Sequence, residues 1–433
     1  MKAKRVIGVI GICLGLLVGL GSKVFSDVSP GDVVDKMNWQ KVEGLMPESI
    51  LNWVKKGDLV LQVGQLNYDP NDYWTPDGRR SLELNKGKYR LDEAGLIVDA
   101  QTGKTPQHIE GVPFPQVDLK DPRAAYMLMY NRMCYAYTIG NNTWPMKCYW
   151  VGRSGYEREV RGVFLTYPIV GFGQSSKEEN PDLLEKLSIV QILAPYDIAG
   201  TSVLTWRYLD DKQDMTYTYV PAIRRVRRMS PANRSDAFLG TDMCVDDGYG
   251  YDGKIAAVDW MPVKRVSAVV PWLDKDPQRL EQSSKGEWMS SKTIKEVVFG
   301  YQKKDWKGAP WAPTNLVWVK RDVLILEFKP KDPYYNYGTQ YLWCDAEVPY
   351  VIYYKVIHDR AGAYWKSILL ALTPLESADK KMTYLQGGFY VTVDDRADHA
   401  TILSGMNSES ISTWFAVQNR NMYSLGGFQK LCK

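Results

Sequence analysis

The carboxylates whose spacing comes nearest to chemistry are Asp242, Asp246, Asp247 and Asp252. Paired carboxylates serve as acid and base in glycoside hydrolysis, and acidic clusters can bind calcium. The run DMCVDDGYGYDGK, however, lacks the bidentate Glu that closes a twelve-residue calcium loop. Just upstream, Arg224, Arg225, Arg227 and Arg228 crowd into five residues. A guanidinium donates two parallel hydrogen bonds to carboxylate or phosphate. The run therefore reads first as an ion-pair partner of Asp236, Asp242, Asp246 and Asp247, and second as a rim for anionic lipid head groups. On a strand the arginines would divide, with Arg224 and Arg228 on one face and Arg225 and Arg227 on the other. A divided charge and a net charge of only +4 argue against a nucleic-acid partner.

Other catalytic signals are missing. There are three histidines, His108, His358 and His399, and no His-Glu-x-x-His, Gly-x-Ser-x-Gly or phosphate-binding glycine loop. No cysteine spacing suits zinc. No catalytic residue, metal or cofactor is expected, and the chain reads as a non-enzyme. A lipid or glycan hydrolase using Asp246 or Asp247 is kept as an alternative.

The N-terminus reads as an export signal: basic MKAKR, the apolar run VIGVIGICLGLLVGLG, then a cut between Ser26 and Asp27. Export places the protein in the periplasm of a Gram-negative bacterium, where disulfides can form. Five cysteines remain after the cut, an odd number, and Cys134–Cys148 is the expected bridge because that pair is closest in sequence.

Several elements must position these residues. Residues 27–60 read as helical, with Ser29-Pro30 and Pro47-Glu48 as starts and Ile50, Leu51 and Val54 as an apolar stripe. Residues 70–120 read as loops, and Asp121-Pro122 opens a helix rich in Met and Tyr. From about residue 145 the pattern is β. TSVLTWRYL and MTYTYVPAIRRV, joined by DDKQD, form the clearest hairpin. Alternation in the later strands implies a sheet with one wet face. The whole reads as mainly β with helices (α+β), a single large domain over residues 27–433. Its part 27–133 is helical and loop-rich, and 134–433 is antiparallel β.

YTYVPAIRRVRRMSPANRSDAFLGTDMCVDD resembles a segment of periplasmic proteins in the LolA/LolB-like superfamily, related to outer-membrane lipoprotein sorting. The resemblance lies in Val220-Pro221-Ala222, Arg224–Arg228, Ser235-Asp236, Phe238, Gly240, Asp242 and Asp246-Asp247. EGVPFPQVDLKDPRAAYMLMYNRM and YLWCDAEVPYVIYYKVIHDRAGAYWKSI point to a larger branch known only as a domain of unknown function. Together these stretches extend the resemblance over nearly all of the mature chain. It implies a large curved antiparallel sheet, a half-open β-barrel wrapped around helices, with an apolar concave face for a lipid or other hydrophobic ligand. It also implies an inner-membrane transporter of the resistance-nodulation-division type and an outer-membrane acceptor as partners. The chain is longer than the small carriers, and none of their cargo-binding arginines maps onto it. The expected lining is Trp206, Tyr208, Tyr217 and Tyr219 of the hairpin with Met127 and Met129 of the helix. An adaptor subunit without its own ligand is the other alternative.

Overall fold

The computed structural model describes residues 27–174, 177–230, 234–348, 351–404 and 411–432. The expected export signal, residues 1–26, lies outside them.

The N-terminal part begins with β1 (Val33–Val34), then α1 (Glu48–Lys56), then β2 (Leu61–Gln62), which pairs with β1. α1 follows Pro47, carries Glu48 in its first turn and Lys55 and Lys56 in its last, and ends on Gly57 at φ 84°. Acid first and base last complement the helix dipole, and glycine takes the left-handed end without penalty. Ile50, Leu51 and Val54 are buried as expected. No helix starts at Ser29. Gly31 sits at φ 99°, and β-branched Val33 and Val34 extend beside Leu61 and Gln62 instead.

Residues 70–120, expected to be loop, contain α2 (Pro76–Leu84) and the hairpin of β3 (Tyr89–Leu91) and β4 (Ile97–Asp99). The Thr75 hydroxyl caps α2 by accepting from Gly78 N at 3.0 Å. The helix is polar and holds an interior glycine, so its composition hid it. α3 (Ala124–Tyr137) forms where the Met- and Tyr-rich run placed a helix, and it is buried on nearly every side.

The large sheet then builds as two meanders. The first comprises β5 (Asn142–Gly152), β6 (Gly155–Pro168), β7 (Leu184–Ala194), β8 (Ser202–Tyr208), β9 (Met215–Val220) and β10 (Arg225–Arg228). Then come β11 (Val258–Trp260), β12 (Lys264–Trp272), β13 (Gln278–Gln282) and β14 (Trp288–Ser290). The second meander is β15 (Val317–Pro330), β16 (Tyr337–Asp345), β17 (Ile352–Asp359), β18 (Tyr364–Glu376), β19 (Thr383–Asp394) and β20 (His399–Ser404). β21 (Thr413–Trp414) and α4 (Leu425–Leu431) finish the chain. β20 pairs antiparallel with β5 and welds the meanders into one sheet. β12 and β11 extend it beyond β15. Trp272 of β12 meets Leu372 of β18, and β13, β14 and β21 bridge β18 to β5, so the sheet curls strongly. Its outer edges stay apart: among the described residues β10 pairs only with β9 and β11 only with β15.

The fold is thus mainly β around a large curved antiparallel sheet, as expected. The single wet face is corrected at its centre. β17–β19 are buried on both faces: Leu369, Ala371 and Val391 pack with α1, while Ile368, Leu370 and Tyr390 pack with α3. Near-continuous apolar runs such as SILLAL are the mark of a strand covered on both sides.

At the free edge, a turn through Pro221–Ile223 and Arg224 at φ 47° reverses the chain, and β10 folds back along β9. Arg225, Arg227 and Arg228 are exposed there. Charge on an edge strand discourages pairing with another chain's edge. Replacing Arg225, Arg227 and Arg228 with Thr should therefore leave the unfolding temperature near wild type but raise the associated fraction in light scattering. A monodisperse variant would show that the arginines do not guard the edge.

Candidate functional site

The segment 234–252 crosses the concave face of the sheet, and three of its aspartates pin it there. Asp247 lies 2.6 Å from Lys355 Nζ of β17, with both side chains fully buried. It also accepts from Tyr337 OH at 3.0 Å and from Cys244 N at 2.9 Å. Asp246 accepts from Arg234 Nε at 2.7 Å and Tyr335 OH at 3.0 Å. Asp242 accepts from Thr401 Oγ1 at 2.7 Å and lies 2.6 Å from His399 Nδ1. Asp246 and Asp247 thus tie the segment to the start of β16 and to β17, and Asp242 ties it to β20.

The expected pairing with the arginine run is therefore corrected. Among the described residues no ion pair or side-chain hydrogen bond joins Arg224, Arg225, Arg227 or Arg228 to any partner. Asp236 accepts from Asn336 Nδ2 at 2.9 Å instead. The strand ends before the run, so the turn at Arg224 carries the arginines outward while the acidic stretch turns inward.

Between the crossing segment and β5–β8 lies a chamber of about 150 Å³. Trp144, Met146, Trp150, Phe164, Ile192 and Val203 form its wall, and Phe238, Leu239 and Met243 its cover. A second chamber of about 130 Å³ adjoins it, lined by Arg132, Met133 and Tyr135 of α3 and by Leu370, Leu372 and Tyr384 of the sheet. Trp144, Thr166, Lys186, Gly248, Tyr249 and Asp252 belong to both. Tyr249 stands at this shared wall in the left-handed region at φ 49°, its ring 5.4 Å from that of Trp144. A third pocket shares Val203, Arg234, Phe238 and Leu239 with the larger chamber and reaches Thr216 and Thr218 of β9, beside the free edge.

Charges gather at one end of the larger chamber. Lys186 Nζ is 2.6 Å from Asp252 Oδ1, Arg207 is 3.2 Å from Asp252 and 2.9 Å from Asp214, and Arg234 is 3.5 Å from Asp214. Burial by itself would raise Asp252, but Lys186, Arg207 and Arg234 together hold its carboxyl below the usual carboxylate range. Burial pushes the Glu185 carboxyl up despite Arg207 and Lys186, and Tyr137 OH donates to it at 2.6 Å. Among the described residues no group of three or more His, Cys, Asp or Glu is placed to hold a metal ion.

The hairpin aromatics lie on the other face. Trp206 packs on Tyr217 at 5.3 Å and donates to Tyr423 O at 2.8 Å; Tyr219 is buried with Tyr423 and Phe428 of α4. Tyr208 donates to Met215 Sδ at 3.3 Å. The β8 residues that line the chamber are Val203 and Thr205, one step out of phase. Met129 is buried in the core between α3 and the sheet, and Met127 packs at its margin, rather than lining either chamber. The expected Cys134–Cys148 bridge is absent: both are buried free thiols, one on α3 and one on β5.

Sequence reasoning missed Arg132, Trp144, Lys186, Arg207, Arg234 and Lys355. Two had a readable signal. Arg132 is the single charge in AAYMLMYNRMCYAY, and Lys355 the single charge in VIYYKVI. A lone cation in an apolar run demands a partner or a ligand.

A model of the family DUF1329, described as a protein of unknown function, matches residues 33–428. No curated protein matches the chain. Several solved structures are similar, three of them as follows. One is a domain from Vibrio parahaemolyticus named for outer membrane lipoprotein sorting, with 15% identity, 73% of this chain and 100% of that chain covered, and a TM-score of 0.46. Another is a DUF1329 family protein from Desulfovibrio piger, with 15% identity, 71% and 99% covered, and a TM-score of 0.46. The third is a LolA superfamily protein from Nitrosomonas europaea, with 12% identity, 66% and 91% covered, and a TM-score of 0.36.

Two predictions follow from the pinned aspartates. Lys355→Met strands the Asp247 carboxylate in the core and should cost about 3–5 kcal/mol in denaturant unfolding. A loss under about 1 kcal/mol would mean that the pair is not buried as described. His399 is raised by its hydrogen bond to Asp242, against burial, with Glu157 adding to the rise. A raised folded pKa stabilises fully below the unfolded value of about 6.5 and loses that contribution as pH climbs through the folded value. The wild-type advantage over His399→Gln should therefore shrink as pH rises above about 6.5; a constant difference would contradict it.

Proposed function

The chain belongs to the DUF1329 family of proteins of unknown function, and from that premise we propose that it is a non-catalytic carrier of a lipid or other hydrophobic molecule across the periplasm. The observation that carries this reading is the run of adjoining, largely apolar chambers from α3 to β9, beside the free edge. Each methylene that leaves water for such a wall gains about 0.8 kcal/mol. Aromatic and Met side chains can adjust to chains of different shape.

Asp246 and Asp247 line none of these chambers, and each is engaged in holding the crossing segment. This favours a carrier over a hydrolase built on those two residues. The basic and apolar character of residues 1–20 supports export. No helix among the described residues is long and apolar enough to cross a membrane. We place the carrier between an inner-membrane transporter of the resistance-nodulation-division type and an outer-membrane acceptor, the partners that the LolA/LolB-like resemblance implies.

Displacement of an apolar fluorescent dye tests the reading. Val203→Trp fills the chamber and should weaken dye binding about tenfold or more, the free energy of losing roughly two buried methylenes. Trp206→Phe, on the opposite face of the same strand, should leave binding unchanged. Equal effects of the two substitutions, or no dye binding by the wild type, would contradict the proposal.

A further inference from the structure

We propose that the cargo is an amphiphile with an anionic head group, a carboxylate or a phosphate, and that Arg132 receives it in the chamber beneath α3. The proposal rests on the carrier reading and specifies the class of its ligand.

The cations around the chambers differ in one respect. Lys186 has Asp252 at 2.6 Å, Arg207 has Asp214 at 2.9 Å and Arg234 has Asp246. Arg132 has no carboxylate within ion-pair distance among the described residues. Its Nη1 donates to Tyr251 O at 3.0 Å and its Nη2 to Tyr249 O. Both acceptors are backbone carbonyls, which bring no compensating charge, and the guanidinium has more donors than two carbonyls use. Arg132 is half-buried; the desolvation it does suffer pushes its pKa down, yet an arginine side chain stays charged at neutral pH. An unpaired cation in a largely apolar wall is costly, and an incoming anion would relieve that cost.

The surroundings favour an amphiphile over a small anion. Arg132 shares its chamber with Met133, Tyr135, Leu370, Leu372 and Tyr384, and the adjoining chamber is still more apolar. Trp144 lines both, with its buried indole N–H lacking an acceptor among the described residues, and the carboxylate at the shared wall, Asp252, is already held by Lys186 and Arg207. The Tyr249 carbonyl held by Arg132 belongs to the residue whose ring stands at that wall. Head-group binding and the partition between the chambers therefore meet at one side chain.

Titration calorimetry with dodecanoate, dodecyl phosphate, 1-dodecanol and inorganic phosphate tests this, using the wild-type protein, Arg132→Gln and Arg132→Lys. We expect the two anionic amphiphiles to bind the wild type about tenfold more tightly than the alcohol. Arg132→Gln should bring them down to the level of the alcohol while leaving the affinity for the alcohol unchanged, and Arg132→Lys should restore part of the difference. Equal wild-type affinity for alcohol and anions overturns the proposal. So does an equal loss for all amphiphiles in Arg132→Gln, which would make Arg132 only a clamp on the Tyr249 loop. Inorganic phosphate binding as tightly as dodecyl phosphate overturns it in favour of a simple anion site. No binding of any amphiphile overturns the carrier reading, and this proposal with it.

Discussion

Lys355 and Asp247 meet at 2.6 Å with neither side chain in contact with solvent, and the interior of the sheet depends on that contact. A buried charge is tolerated only when a partner and further hydrogen bonds satisfy it. Asp247 has both, through Tyr337 and Cys244. Lys355 also lies about 6 Å from the rings of Tyr251, Phe328 and Tyr337, where the aromatic faces add modest attraction. A pair of this kind gives little net stability compared with apolar residues of the same shape. What it supplies is position: it fixes the segment 234–252 across the concave face at one height above the strands.

That height is what leaves the chambers. Had the crossing segment packed down on β5–β8, Phe238, Leu239 and Met243 would fill the space between themselves and Trp144, Phe164 and Val203. Asp246 and Asp242 hold the rest of the segment toward Tyr335 and toward His399 and Thr401. The sheet keeps its curvature because its centre is covered twice, by α1 on one face and by α3 on the other. The doubly covered middle bounds one chamber under α3, and the β5–β8 wing bounds the other under the crossing segment.

Much of this was legible in the sequence, and the remainder was hidden for identifiable reasons. The helix ends at Pro47-Glu48 and Gly57, the helix at 124–137 and the β8–β9 hairpin are encoded in neighbouring residues, and local patterns report them. The curved antiparallel sheet and the family match also agree with what the central stretch resembles. α2 was missed because its cap, Thr75 before Pro76, is a two-residue signal inside a polar run. Alternation along β8 fixes two sets of residues but not which set faces which side; Tyr423 and α4, at the far end of the chain, take the side of Trp206. The partner of Asp247 is 108 residues away, so nothing near the acidic stretch could name it. The arginine run was close in sequence and proved distant in space, because a single left-handed residue, Arg224, turns it out to the edge.

The central claim is that the chambers hold an acyl-type ligand. Native mass spectrometry of the protein purified from its native cells, followed by solvent extraction, tests it most directly. The account predicts a reproducible adduct that survives gentle desolvation, is released by organic solvent and carries an acidic head group. A protein that is uniformly empty, and stays empty after incubation with periplasmic lipid extract, would contradict it.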